Sequence, residues 1–132
     1  MTRHVVGPVT GFPPGTRRCV VLEGRRIALF NVGGRYFGLL DRCPHQGGPL
    51  SEGVLTGLVE AGAPGDYSFS RPGEILRCPW HGWEFDLATG ESRFAPRRHR
   101  TRAYRVTAAP GEDLKAETVP VRIEEDYIVV ET

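Results

Sequence analysis

Two short segments concentrate the side chains able to do chemistry: Cys43-Pro44-His45-Gln46-Gly47-Gly48-Pro49-Leu50 and Cys78-Pro79-Trp80-His81-Gly82-Trp83. Each brings one thiol and one imidazole into a stretch short enough to be a single turn, with proline directly after the cysteine and glycine close after the histidine. Together Cys43, His45, Cys78 and His81 supply two soft thiolates and two imidazoles, a full ligand set for a metal centre. Proline restricts the turn, and glycine lets the backbone approach a bound group closely. Close approach suits an iron–sulfur cluster, whose sulfurs accept N–H hydrogen bonds that tune its potential. Two other chemistries compete. Structural zinc also takes Cys₂His₂ sets, but zinc modules commonly pair Cys with Cys and His with His, whereas each segment here mixes them. A catalytic Cys/His dyad would leave two matched pairs unexplained.

Cys-x-His followed by Cys-x-x-His, carried by CPHQGGPL, CPWHGWEFD and the trailing Thr89-Gly90, resembles the Rieske family. The resemblance implies a [2Fe–2S] cluster with Cys43 and Cys78 on one iron and His45 and His81 on the other. Neutral imidazoles make such a cluster less negative and raise its potential above that of an all-Cys one. It also implies outer imidazole nitrogens that face solvent. They would give a short path to a partner and couple reduction to protonation, so that the potential falls as pH rises through their deprotonation. Respiratory members carry an extra cysteine in each segment, joined as a disulfide. Gly48 and Trp80 stand at those positions here, and Trp83 stands where a cluster-bonding serine is placed. With those features missing and no N-terminal membrane anchor, the implied subtype is the soluble ferredoxin or oxygenase-associated one, with a potential toward the low end for the family.

The function implied is one-electron transfer between a flavin-dependent reductase and a terminal oxygenase or other redox acceptor. The alternative is a small subunit of a larger, nitrite-reductase-like oxidoreductase. Rieske oxygenases also carry a mononuclear iron held by two His and one carboxylate. After His81 the only histidine is His99. The chain therefore reads as a redox component, not as an enzyme that activates oxygen alone.

The elements that must position these turns are short strands. Apolar runs and period-two alternation predict strands at 19–22, 26–32, 36–40, 74–77, 83–86, 102–106, 119–123 and 127–131. Glu23-Gly24 and Gly33-Gly34 read as tight hairpin turns, where positive φ is needed, and Leu87-Ala88-Thr89-Gly90 as another turn. Pro120 would suit an edge strand. Residues 57–73, rich in Gly, Pro and Ser, read as an irregular insertion, longer than expected for a short Rieske ferredoxin, and 108–116 as a second polar loop. The fold class expected is all-β: a small antiparallel β-sandwich or barrel of Rieske type. One domain over 1–132 is expected, with cluster loops at about 41–50 and 78–83.

The 132 residues suit one domain that buries roughly two-thirds of its surface. Seventeen Lys+Arg against sixteen Asp+Glu leave a net charge of +1, which argues against a nucleic-acid binder. Gly 17 and Pro 11 fit many turns. Three cysteines, an odd number, do not make a disulfide framework. No apolar run is long enough to span a membrane, and the start lacks a signal-peptide stretch, so the cytoplasm is the expected location. Arg97, Arg98, Arg100, Arg102 and Arg105 form a basic run around His99 that reads either as a docking patch or as a charged strand edge. Trp80 and Trp83 flank His81 and could shield a cluster. Leu50 is expected to cover it, Phe85 to serve the core, His4 and His99 to lie at the surface, and Cys19 to be a buried small hydrophobe.

Overall fold

Strand-forming runs punctuated by glycine build nine strands among the described residues: β1 (Arg3–Pro8), β2 (Arg17–Leu22), β3 (Arg25–Val32), β4 (Arg35–Leu40), β5 (Val54–Ala61), β6 (Tyr67–Arg77), β7 (Glu84–Asp86), β8 (Ala103–Pro110) and β9 (Asp126–Glu131). The only α-helix among those residues is the single turn Gly111–Leu114. The computed structural model describes residues 2–44, 47–61, 67–80, 82–93, 99–114, 121–122 and 124–132, with backbone alone for 57–61 and 67–71. The expected antiparallel all-β class holds. Among the described residues no helix is long and apolar enough to cross a membrane.

The chain divides into two compact units. The first, Met1–Gly38 with Tyr104–Thr132, carries a six-stranded sheet ordered β1-β9-β8-β4-β3-β2. Ile27 to Phe30 on β3 and Tyr127 to Val130 on β9 are buried in unbroken runs, so both faces of these strands are covered. β8 instead alternates, with Tyr104 and Val106 in and Arg105 out. Glu23-Gly24 (φ 54° and 76°) and Gly33-Gly34 (φ 59° and 91°) form the expected two-residue turns, both of the left-handed kind that matches strand twist. Asn31 is buried and satisfied: its amide donates to the Phe12 carbonyl (2.8 Å) and its Oδ1 accepts from Gly34 N–H (2.9 Å).

One strand was not expected, and two expectations change here. β1 escapes the sequence reading because His4-Val5-Val6-Gly7 is too short and mixed to show a period, yet it pairs with β9. The polar loop expected at 108–116 begins later: Ala108, Ala109 and Pro110 continue β8 against Ile128, Tyr127 and Asp126. Of the strand expected at 119–123, Val121 and Arg122 are not in a strand, and 119, 120 and 123 lie outside the described residues, Pro120 among them.

The second unit, Leu39–Ala103, holds the three-stranded sheet β5-β6-β7 around Leu50, Ile75, Leu76, Phe85 and Leu87, all 1% exposed or less. Here the irregular insertion expected at 57–73 is corrected for the described residues; 62–66 lie outside them. β5 and β6 form one long hairpin in which Leu58, Val59, Glu60 and Ala61 pair with Ser70, Phe69, Ser68 and Tyr67. The ladder slips between Thr56↔Ile75 and Leu58↔Ser70, so that Gly57 faces the four residues Arg71–Glu74. Pro72 has no N–H to give a ladder and Gly73 takes φ 77°, which is how the strand absorbs the extra residues. Composition suggested a loop because those bulge residues interrupt two strands that resume on either side. The turn at 87–90 is as expected: Gly90 N–H donates to the Asp86 carbonyl (2.7 Å) and Ala88 N–H to Asp86 Oδ1 (2.8 Å).

Candidate metal centre

Cys43 opens a turn three residues after β4, and Cys78 opens one directly after β6. The two turns share a wiring pattern. Cys43 N–H donates to the Gly48 carbonyl (2.8 Å) and Cys78 N–H to the Trp83 carbonyl (2.7 Å), five residues on in each case. Gly47 N–H donates back to the Cys43 carbonyl (2.7 Å) and Gly82 N–H to the Cys78 carbonyl (3.1 Å), four residues on. Gly47 (φ 81°) and Gly82 (φ 71°) both take the left-handed conformation that lets the chain reverse at that point. The shared Cys-to-Gly spacing is the sequence signal for this wiring, although the histidines stand two residues after one cysteine and three after the other.

Each turn is braced locally. Before the first, buried Asp41 accepts from Ser51 N–H (2.6 Å) and Ser51 Oγ (2.8 Å), so its carboxylate holds the two sides of the turn together. Beside the second, Glu84 receives Arg77 (3.3 Å) and Arg93 (3.2 Å), both exposed pairs of small energetic weight. Leu50 is completely buried at the end of the first segment, and Phe85 lies in the core as expected.

The cysteine side chains are both 2% exposed, and none of the three cysteines is in a disulfide. Gly48 sits where a side chain would be crowded. A Cβ there would lie 3.0 Å from Trp80 Cδ2 and 3.1 Å from Cys78 Sγ, so the second cysteine's sulfur borders the first turn. Two buried thiols from matched turns, one of them reaching the other turn, suit a bound centre that takes one sulfur from each. His45 and His81, the expected nitrogen ligands, lie outside the described residues.

Other candidates separate from the site. Cys19 is half-buried on β2 rather than buried, because its strand is the last of its sheet. Trp80 is 55% exposed, whereas Trp83 is half-buried and meets His99 edge-on at 4.7 Å. His99 and His4 are therefore only partly at the surface, and His4 Nε2 lies 3.2 Å from Thr132 Oγ1. A cavity of about 330 Å³ beside the second turn is bounded by Gly82, Trp83, Glu84 and Arg93. Of the basic run, Arg97 and Arg98 lie outside the described residues, Arg100 pairs with Glu91 (3.5 Å) and Arg105 with Glu131 (3.7 Å). The strand-edge reading is corrected for Arg105: β8 lies between β9 and β4.

Comparison with known proteins agrees with this chemistry. The family described as Rieske [2Fe-2S] domain matches residues 2–120. The 3-phenylpropionate/cinnamic acid dioxygenase ferredoxin subunit of Escherichia coli K12 is 31% identical over 112 residues, covering 85% of this chain and 91% of the relative. The biphenyl dioxygenase ferredoxin subunit of Pseudomonas sp. KKS102 is 29% identical over 119 residues, covering 90% and 82%. Among solved structures, a candidate NADH-dependent nitrite reductase small subunit from Mycobacterium tuberculosis superposes with a TM-score of 0.64 at 19% identity, covering 99% of this chain and 96% of that one.

Proposed function

Because the chain belongs to the Rieske [2Fe–2S] domain family, we propose that it is the ferredoxin component of an oxygenase system, carrying one electron at a time to a terminal oxygenase. A [2Fe–2S] cluster, when bound, supplies reversible one-electron chemistry. Cys43 and Cys78 hold one iron, and His45 and His81 the other. The observation that carries this is the pair of identically wired turns, each presenting a buried thiol. Burial keeps both sulfurs from water and oxidants. The cysteine N–H groups are spent on the Gly48 and Trp83 carbonyls, which rigidify each turn before any metal arrives.

The electron donor we propose is a flavin-dependent reductase, and the location the cytoplasm, where cysteines stay out of disulfides. One Rieske domain over 1–132 is part of the proposal, its cluster turns lying in the Leu39–Ala103 unit. A second reading, a small subunit of a nitrite-reductase-like oxidoreductase, has a likeness of fold on its side. Co-purification separates them: an oxygenase partner supports the first, a nitrite-reductase large subunit the second.

Iron and acid-labile sulfide analysis with EPR tests the centre itself. Two irons and two sulfides per chain, a brown oxidised protein and a Rieske-type signal on reduction are expected. Cys78→Ser should lose the cluster. A colourless, EPR-silent protein holding one zinc would overturn the assignment.

A further inference from the structure

Trp80 is a large apolar side chain left 55% exposed, two residues after a cysteine that is 2% exposed. Its indole is not idle. The Cδ2 and Cγ atoms lie 3.0 and 3.1 Å from where a Cβ on Gly48 would be, tighter than nine in ten real Cβ contacts. The ring is therefore laid on the bare backbone of Gly48, in the opposite turn. Gly48 is also the residue whose carbonyl receives the Cys43 N–H, and its phantom Cβ lies 3.1 Å from Cys78 Sγ. One ring thus touches the residue that closes the first turn, while standing two residues after the cysteine that opens the second.

We propose that Trp80 is a positioning residue: its indole, seated on Gly48, ties the two cysteine turns together and keeps water from Cys78 Sγ, setting the lifetime and the potential of the bound centre. This rests on the Rieske reading above. The physical basis is twofold. An aromatic ring packed on a glycine gains contact area that neither turn can supply from its own short segment. The apolar cover around a metal centre also controls solvent access, and with it the potential. Reduction adds a negative charge, which water near a thiolate stabilises, so removing the cover favours the reduced state.

The test compares holoprotein variants by midpoint potential, EPR line shape and the rate of iron release to a chelator. Trp80→Ala should raise the potential and speed iron release about tenfold, the scale on which supporting residues act on metal sites. Trp80→Phe, which keeps a ring on Gly48, should stay close to the parent. Gly48→Ala should displace the indole by a few tenths of an ångström, crowding Cys78 Sγ as well, and shift the potential in the same direction as Trp80→Ala. The double variant should show less than the sum of the two. If Trp80→Ala does not fold, Gly48→Ala and Trp80→Phe still decide the matter. Parent-like potential and release rate in Trp80→Ala or Gly48→Ala, including a Trp80→Ala that fails only in transfer to a partner, would overturn the proposal. A parent chain without iron and sulfide would instead overturn the Rieske reading.

Discussion

Gly82 and Gly47 occupy equivalent places in the two cysteine turns, and the space around them says what they are for. Among the described residues a Cβ at Gly82 would meet only Arg77 Cδ, at an ordinary 3.9 Å, so its cost there is the left-handed backbone itself. Gly82→Ala should destabilise by about 1–2 kcal/mol through that conformational penalty, read as a lower thermal midpoint with iron content retained. Gly82→Asn, which tolerates the conformation, should lose less. Proposed as a ligand, His81 offers a separate test: His81→Cys should lower the midpoint potential wherever a cluster still assembles, because a thiolate adds negative charge that an imidazole does not. A titration showing an unchanged or raised potential would remove His81 from the ligand set. At this scale much was legible beforehand, since Cys, His, Pro and Gly announce their chemistry by type. The contact of Trp80 with Gly48 was not, because it depends on how two distant turns face each other.

At the scale of elements, the β2–β3 turn places Glu23 at φ 54°, a conformation that disfavours most side chains. Its carboxyl is held below the usual carboxylate range by a hydrogen bond from Thr132 and, more weakly, by the nearby charges of His4 and Arg25, against an opposing desolvation. A lowered folded-state value means that ionised Glu23 stabilises the fold above its unfolded-state value, and that this is lost as pH falls through the folded one. Glu23→Gln should therefore be slightly less stable than the parent near neutrality, and the gap should close in acid denaturation scans. Glu23→Asn, better suited to the turn, should exceed Glu23→Gln at every pH. The long hairpin offers another test. Removing residues 58–70 leaves Gly57 and Arg71–Glu74 as a connection above Thr56↔Ile75, while β6 keeps its pairing with β7 beside Cys78. Iron content should survive that deletion; its loss would mean that the outer ladder supports the site. Strands with a clear apolar run, β3 and β9, were readable from sequence, as were turns marked by glycine pairs. β1, the hairpin and the end of β8 were hidden, because their pairing comes from partners far along the chain rather than from local pattern.

The whole molecule carries a net charge of only +1, and two of the arginines that suggested a docking patch already face carboxylates, Arg100 to Glu91 and Arg105 to Glu131. Long-range steering is then weak. Electron transfer to an oxygenase partner should vary by no more than about twofold as salt rises well past the point where exposed charges are screened; a steep fall would restore the basic run as a recognition element. The Trp80 ring in the second turn is 55% exposed. That ring has one more consequence. A brace made of carbon lying on a bare peptide offers nothing for glutathione or thioredoxin to cut. A strongly reducing milieu that would sever a sulfur–sulfur crosslink would leave this grip between the turns intact.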